Sequence, residues 1–254
     1  MTFKYIATSI FALATGLSVT SFADVSDKPF TKSQIKIVEE IVRDMIKKEP
    51  AMIGEALNKF IAEQKAAEKV KAQQAIVDNK AALTTDPTSP VLGNKDGDVT
   101  LVEFFDYNCP YCRRFHANMK KAMEKDTDLR VVLKPYPILG PDSIKVMQVA
   151  LAARAQGKFE ELHNALMAAE GKLTEEQAYD IAKGLKLDMT KLKAAFKSKD
   201  VLMSVEKSFL LGRALKVGGV PAIIIGDTLL PEAPSLDKIQ FLVSEARQKT
   251  ADSE

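Results

Sequence analysis

Tryptophan is absent from this chain, histidine and cysteine occur twice each, and neither sign of charge dominates. With 36 basic against 34 acidic residues the formal charge is +2, too little to mark a nucleic-acid surface. Few aromatics and no tryptophan leave no stacking platform for bases either. Cys109, Cys112, His116 and His163 are the whole stock of soft metal ligands. Structural zinc sites close with about four ligands in two pairs, a pattern missing here. A c-type haem needs histidine directly after the second cysteine, where Arg113 stands. The histidines read as two partly exposed helix residues, and no cofactor or metal is expected.

What is there is one thiol pair, Cys109-Pro110-Tyr111-Cys112. It sits where the apolar run Val99-Thr100-Leu101-Val102-Glu103-Phe104-Phe105 gives way to a helical pattern. A two-residue spacer at a helix start lets both sulfurs close a small ring. The first sulfur also meets the partly positive helix N-terminus, which favours its thiolate. A purely structural disulfide over so short a loop stabilises little. The pair reads as redox chemistry.

The first residues bear on compartment. Lys4 precedes an apolar stretch from Ile6 to Leu17, and Ser21-Phe22-Ala23 fits a signal-peptidase site. Residues 1–23 are therefore expected to be a cleavable export signal, cut after Ala23, and the mature protein is expected in the periplasm. No later segment is apolar enough to cross a membrane. In an oxidising compartment, thiol exchange serves the folding of other proteins.

Two unlike regions follow. From Thr31 to about Leu83 the pattern is helical, with Thr31 and Gln34 forming a capping box and Ile35, Val38, Val42 and Met45 on one stripe. Pro50 opens a second helix carrying Ile53, Leu57, Phe60 and Ile61, which continues as a polar run suited to a solvated stalk. Residues 24–83 are expected to be a helical oligomerisation arm and stalk. Thr84 to Pro90 breaks the helix, and residues 84–254 form the second domain. Its order is two short strands joined by a turn, a helix from Cys109, a strand Leu129–Lys134, a helical block over about 142–217, a hairpin from Val220, and a last helix. Strand, helix and strand in that order imply parallel pairing. Glu103 shares a face with Leu101 and Phe105 by period-two alternation, so its carboxylate is expected in the core, where it is expensive unless partnered.

Strand, Cys-Pro-Tyr-Cys at a helix start, helical insertion, then Gly218-Gly219-Val220-Pro221-Ala222 before a strand resembles the DsbA branch of the thioredoxin superfamily. With the N-terminal arm, the chain is similar to oligomeric periplasmic DsbA/ScsC-type thiol:disulfide oxidoreductases. The resemblance implies an α/β thioredoxin fold with an inserted helical domain. It makes Cys109 the exposed nucleophile, Cys112 the resolving thiol and Pro221 a cis-proline. Val220, Pro110 and Tyr111 take the positions that meet a bound peptide. Glu103 becomes a buried acid relaying protons to Cys112, and Lys134 its ion-pair partner; Asp106, Arg113 and Arg114 read as solvated charges.

Pro-Tyr between the cysteines departs from the Pro-His of the strongest oxidases and removes one stabiliser of the thiolate. Glutaredoxins share Cys-Pro-Tyr-Cys but are much shorter, without the insertion or an export signal. An associating arm suits an isomerase, so the expected function is isomerase or dual oxidase and isomerase. Unfolded or misoxidised exported proteins are the expected substrates, a DsbB-like or DsbD-like membrane protein the expected redox partner, and a homodimer or homotrimer the expected assembly. The alternatives are a dedicated oxidase, or a holdase or scaffold working through the arm.

Overall fold

A computed structural model describes residues 30–230 and 232–251; the expected export signal lies outside the described residues. The chain divides into two compact units, Met1–Ile61 and Ala62–Glu254. In the first, helix α1 (Lys32–Lys48) starts at the expected capping box: the Gln34 N–H donates to Thr31 Oγ1 at 3.3 Å and the Thr31 N–H to Gln34 Oε1 at 2.9 Å. Helix α2 runs over Pro50–Asp78. No residue of α1 is buried, and the stripe of Ile35, Val38, Ile41, Val42, Met45 and Ile46 lies exposed along it.

The second unit is built on a sheet of β1 (Val91–Gly93), β2 (Val99–Phe105), β3 (Leu129–Pro135), β4 (Ala222–Ile225) and β5 (Thr228–Leu230). Its order is β1-β3-β2-β4-β5, with β2 and β3 parallel as expected and β4-β5 an antiparallel hairpin. The first two strands are consecutive in the chain but not neighbours in the sheet: β1 pairs antiparallel with the far edge of β3. Between β2 and β3 lies α4 (Pro110–Lys125).

The helical block between β3 and β4 comprises α5 (Pro141–Ala152), a 3-10 turn, α6 (Phe159–Ala168), α7 (Glu175–Gly184), α8 (Met189–Phe196) and α9 (Lys199–Ala214), and α10 (Leu236–Ala251) ends the described chain. Gly157 stops the 3-10 turn in the left-handed region at φ 67°, while Thr174, Asp188 and Ser198 cap α7, α8 and α9.

Alternation along β2 splits the interior into two cores. Leu101 and Phe105 face α4, the insertion and α10, where Phe115, Met119, Ile239 and Val243 are buried with them. Val102 and Phe104 face the other way, onto Ile76, Leu83, Leu211 and Leu215. The segment expected to stand in solvent as a stalk thus ends as core, in the last turns of α2 and in α3 (Lys80–Thr84). Buried Ile76 and Leu83 make that stretch part of the catalytic unit.

In this second core Tyr136 packs edge-on to Phe104 at 5.7 Å and against Phe209 at 4.9 Å. Helix α9 comes close enough that a Cβ on Gly212 would lie 2.6 Å from the Tyr136 ring. Gly212→Ala is expected to lower stability by about 1–3 kcal/mol through overpacking. Urea denaturation checks it, and wild-type stability would show that the ring moves aside freely.

Candidate active site

The site is assembled where β2 ends. Cys109 is the N-cap of α4, with extended backbone (φ −85°, ψ 115°), and Pro110 occupies the first turn, where its missing N–H costs nothing. The Cys112 N–H donates to Cys109 Sγ at 3.4 Å. On the other side the Cys109 thiol donates to the Val220 carbonyl at 3.3 Å, and the Val220–Pro221 peptide is cis. Strand β4 therefore brings the chain from 111 residues away to close the site. Cys109 is 3% exposed and Cys112 fully buried. The nucleophile expected to be exposed lies buried against Val220; Pro110 and Tyr111, the latter 60% exposed, form the visible part of the motif. Beside it an open cleft of about 580 Å³ is walled by Tyr111, Gly218, Gly219, Val220, Pro221 and Leu229.

Electrostatics separates the two thiols. A hydrogen bond from Cys112, with the backbone N–H groups of Cys112 and Tyr111, pulls the Cys109 pKa from 9.0 to about 6, against burial and the Asp106 charge. Burial, that same hydrogen bond and the nearby Glu103 carboxyl push Cys112 far the other way. One sulfur is poised to ionise near neutrality and the other holds its proton, the asymmetry that attack and resolution require.

The observation that decides the family is this whole arrangement in chain order. Residues 100–244 match the model of the DSBA-like thioredoxin domain. The chain belongs to that family. It is 28% identical over 144 residues to the thiol:disulfide interchange protein DsbA of Pseudomonas aeruginosa, covering 54% of this chain and 68% of that protein. The ScsC protein of Proteus mirabilis, solved in a transitional conformation, is 34% identical, with a TM-score of 0.65 over 87% of this chain and 100% of that one. The match to the Na(+)/H(+) antiporter NhaA 1 of Salinispora arenicola, 30% identical over 105 residues, covers 41% of this chain and 16% of that protein's length.

Within this DsbA-like domain Glu103 lies on the active-site face as expected, fully buried, and neither carboxyl oxygen has a hydrogen-bond partner. Burial, and secondarily the Cys109 charge, raise its pKa well above 4.5. Lys134 does not pair with it. The parallel register sets Glu103 opposite Leu133 and Phe104 opposite Lys134, so the lysine belongs to the other face of the sheet. There its ammonium donates to the Ala82 carbonyl at 2.6 Å and to Ser89 Oγ at 2.7 Å. Burial brings it down to about 8, with Asp86 opposing. Lys134 fastens α3 and the approach to β1 onto the sheet.

Two further expectations are corrected. His116 and His163 are buried, not partly exposed: their rings meet edge-to-face at 4.8 Å, and His163 stacks on Phe159. His163 Nδ1 is 2.9 Å from the Tyr107 hydroxyl. Burial holds both imidazoles below 6.5. Asp106 and Arg113 are not solvated charges either. Buried Asp106 accepts the N–H groups of Asn108 (2.8 Å) and Leu139 (2.9 Å). Arg113 donates to the carbonyls of Tyr107, Ala169 and Gly171. Asn108, unmarked in the sequence reading, bonds Leu173 in both directions. Its partner lies 65 residues on, beyond the reach of any local pattern.

Glu103→Leu is expected to stabilise the protein by about 1–3 kcal/mol at pH 8, since it removes an unpartnered buried carboxyl. Above pH 4.5 the unfolded chain gives up this proton before the folded one does. Wild-type stability therefore declines as pH rises towards the folded-state pKa, and the advantage of the leucine variant shrinks at pH 5. Urea midpoints at the two pH values measure this; equal midpoints for both proteins at pH 8 would mean that the carboxyl is not the burden described.

Proposed function

We propose that the chain is an exported, periplasmic thiol:disulfide oxidoreductase that acts on disulfides of other exported proteins as an isomerase or as a dual oxidase and isomerase. The observation that carries this is Cys109 capping α4, against the Val220 carbonyl and with Cys112 buried behind it, beside an open cleft. With a pKa of about 6, Cys109 is roughly nine-tenths thiolate at pH 7. In the proposed reaction that thiolate attacks one sulfur of a substrate disulfide, forming the Cys109 mixed disulfide and releasing a substrate thiolate. For isomerisation, a substrate thiolate attacks another substrate disulfide or the mixed disulfide, and Cys109 leaves unchanged. For net electron transfer, Cys112 attacks Cys109 Sγ and the substrate thiolate leaves; the Cys112 proton ends on that thiolate, relayed by Glu103, which is neutral before and after, and the pair is left as a disulfide. The reverse sequence oxidises substrate dithiols.

Val220, Pro110 and Tyr111 border the place where a peptide would lie, with Pro221 fixing the approach of Val220 to the sulfur. Recharging is assigned to a membrane redox partner of DsbB-like or DsbD-like type. Iodoacetamide alkylation of the reduced protein is expected to modify Cys109 with a midpoint near pH 6 and to leave Cys112 untouched below pH 8. Equal labelling of both thiols would overturn this division of labour.

Isomerase over dedicated oxidase is favoured by the arm. Its exposed apolar stripe on α1 suits self-association into a homodimer or homotrimer that turns several active sites onto one substrate. The same stripe favours the second reading, a holdase or scaffold. Removing residues 24–61, which spares buried Ile76 and Leu83, is expected to give a monomer by light scattering with at least a several-fold loss of isomerisation of a scrambled disulfide substrate. An unchanged oligomer removes the role of the arm. Full cellular function in a Cys109→Ala, Cys112→Ala double variant would transfer the main role to the scaffold.

A further inference from the structure

The residue immediately before the nucleophile is bound to the helical insertion rather than to its own strand. The Leu173 N–H donates to Asn108 Oδ1 at 2.7 Å, and Asn108 Nδ2 donates to the Leu173 carbonyl at 3.0 Å. The carboxamide thus pairs with the backbone of the α6–α7 connection as a neighbouring strand would. Asn108 Nδ2 also reaches Ser143 Oγ at 3.3 Å. Arg113 ties the same connection to the first turn of α4: Nη1 donates to the Ala169 and Gly171 carbonyls, Nε to the Tyr107 carbonyl. Among the described residues no carboxylate lies within ion-pair distance of this guanidinium, so it serves here as a fork of donors. Between the end of β2 and Cys112, the chain is therefore held from residues 169–173.

We propose that Asn108 is a positioning residue for Cys109, setting the sulfur against the N-terminus of α4 by clamping the α6–α7 connection. This rests on the thiol-exchange reading of the site. The physical reason is the range of the stabilising contacts. The Cys109 thiolate depends on hydrogen bonds from Cys112 and from backbone N–H groups, and the bond from Cys112 N spans 3.4 Å, an ordinary length for a sulfur acceptor. Such bonds weaken steeply as the donor N–H turns away from the acceptor. A residue that fixes the Cα of its neighbour therefore controls how far the sulfur ionises.

The experiment titrates the Cys109 thiolate by its absorbance at 240 nm in the reduced full chain, alongside thiol-disulfide exchange with glutathione. Asn108→Ala is expected to move the midpoint upward from about 6 by at least one pH unit, a tenfold loss of thiolate at pH 5. Its exchange equilibrium should shift at least tenfold in favour of the disulfide form. Asn118→Ala, on the same helix α4, removes the hydrogen bond that its Nδ2 donates to the Pro234 carbonyl, and is expected to leave the midpoint in place even where it lowers the melting temperature. An Asn108→Ala protein that melts earlier but titrates like wild type overturns the proposal, as does an equal shift in Asn118→Ala. A wild type with no glutathione exchange at all would instead overturn the thiol-exchange reading. If Asn108→Ala does not fold, amide NMR of the wild type decides. The Leu173 N–H and the Asn108 side-chain amide should both report the Cys109 midpoint, and silence at both overturns the clamp.

Discussion

Everything at this site depends on one sulfur capping one helix. Cys109 Sγ accepts the N–H of Cys112 and lies against the Val220 carbonyl, so it touches the start of α4 and the entry to β4 together. A thiol that caps a helix trades a proton for contact with unsatisfied N–H groups and the positive end of a dipole. The trade succeeds only if the sulfur is fixed and its neighbours keep negative charge modest. Glu103 satisfies the second condition by being too deeply buried to ionise readily. The first is met by contacts drawn from three separate parts of the chain, which is why a domain of this size surrounds a two-thiol reaction.

The sheet supplies the remaining order through parity. Along β2, Leu101, Glu103 and Phe105 belong to the core that contains the thiols, while Val102 and Phe104 belong to the other. One strand therefore serves catalysis with one face and the attachment of α2 and α3 with the other. On β2 the two duties use different side chains, while Phe209 and Val220 pack against both cores and join them.

Much of this was legible in the chain. Alternation placed Glu103 inward, the turn residues bounded the insertion, and Cys-Pro-Tyr-Cys with the later Val-Pro marked the two halves of the site. What escaped was information carried by register and long-range contact. Lys134 follows β3 by the same alternation rule, but which residue of β2 it faces depends on how the strands slide against each other, and one step decides the face. His116 and His163 read as partly exposed because imidazole is polar, although each lies on its helix's buried stripe, with Cys112, Phe115 and Met119 on α4 and with Phe159, Leu162 and Leu166 on α6; packing α6 on α4 brings the two rings together. Asp106 and Arg113 carry charge and so suggested solvent, yet backbone groups bond them, some local and some from distant loops.

The grip of Lys134 on Ala82 and Ser89 has a consequence for architecture. It makes the root of the arm part of a self-contained module, sealed by Ile76 and Leu83 before the chain reaches the first strand. A module sealed on its N-terminal side tolerates exchange of whatever precedes it.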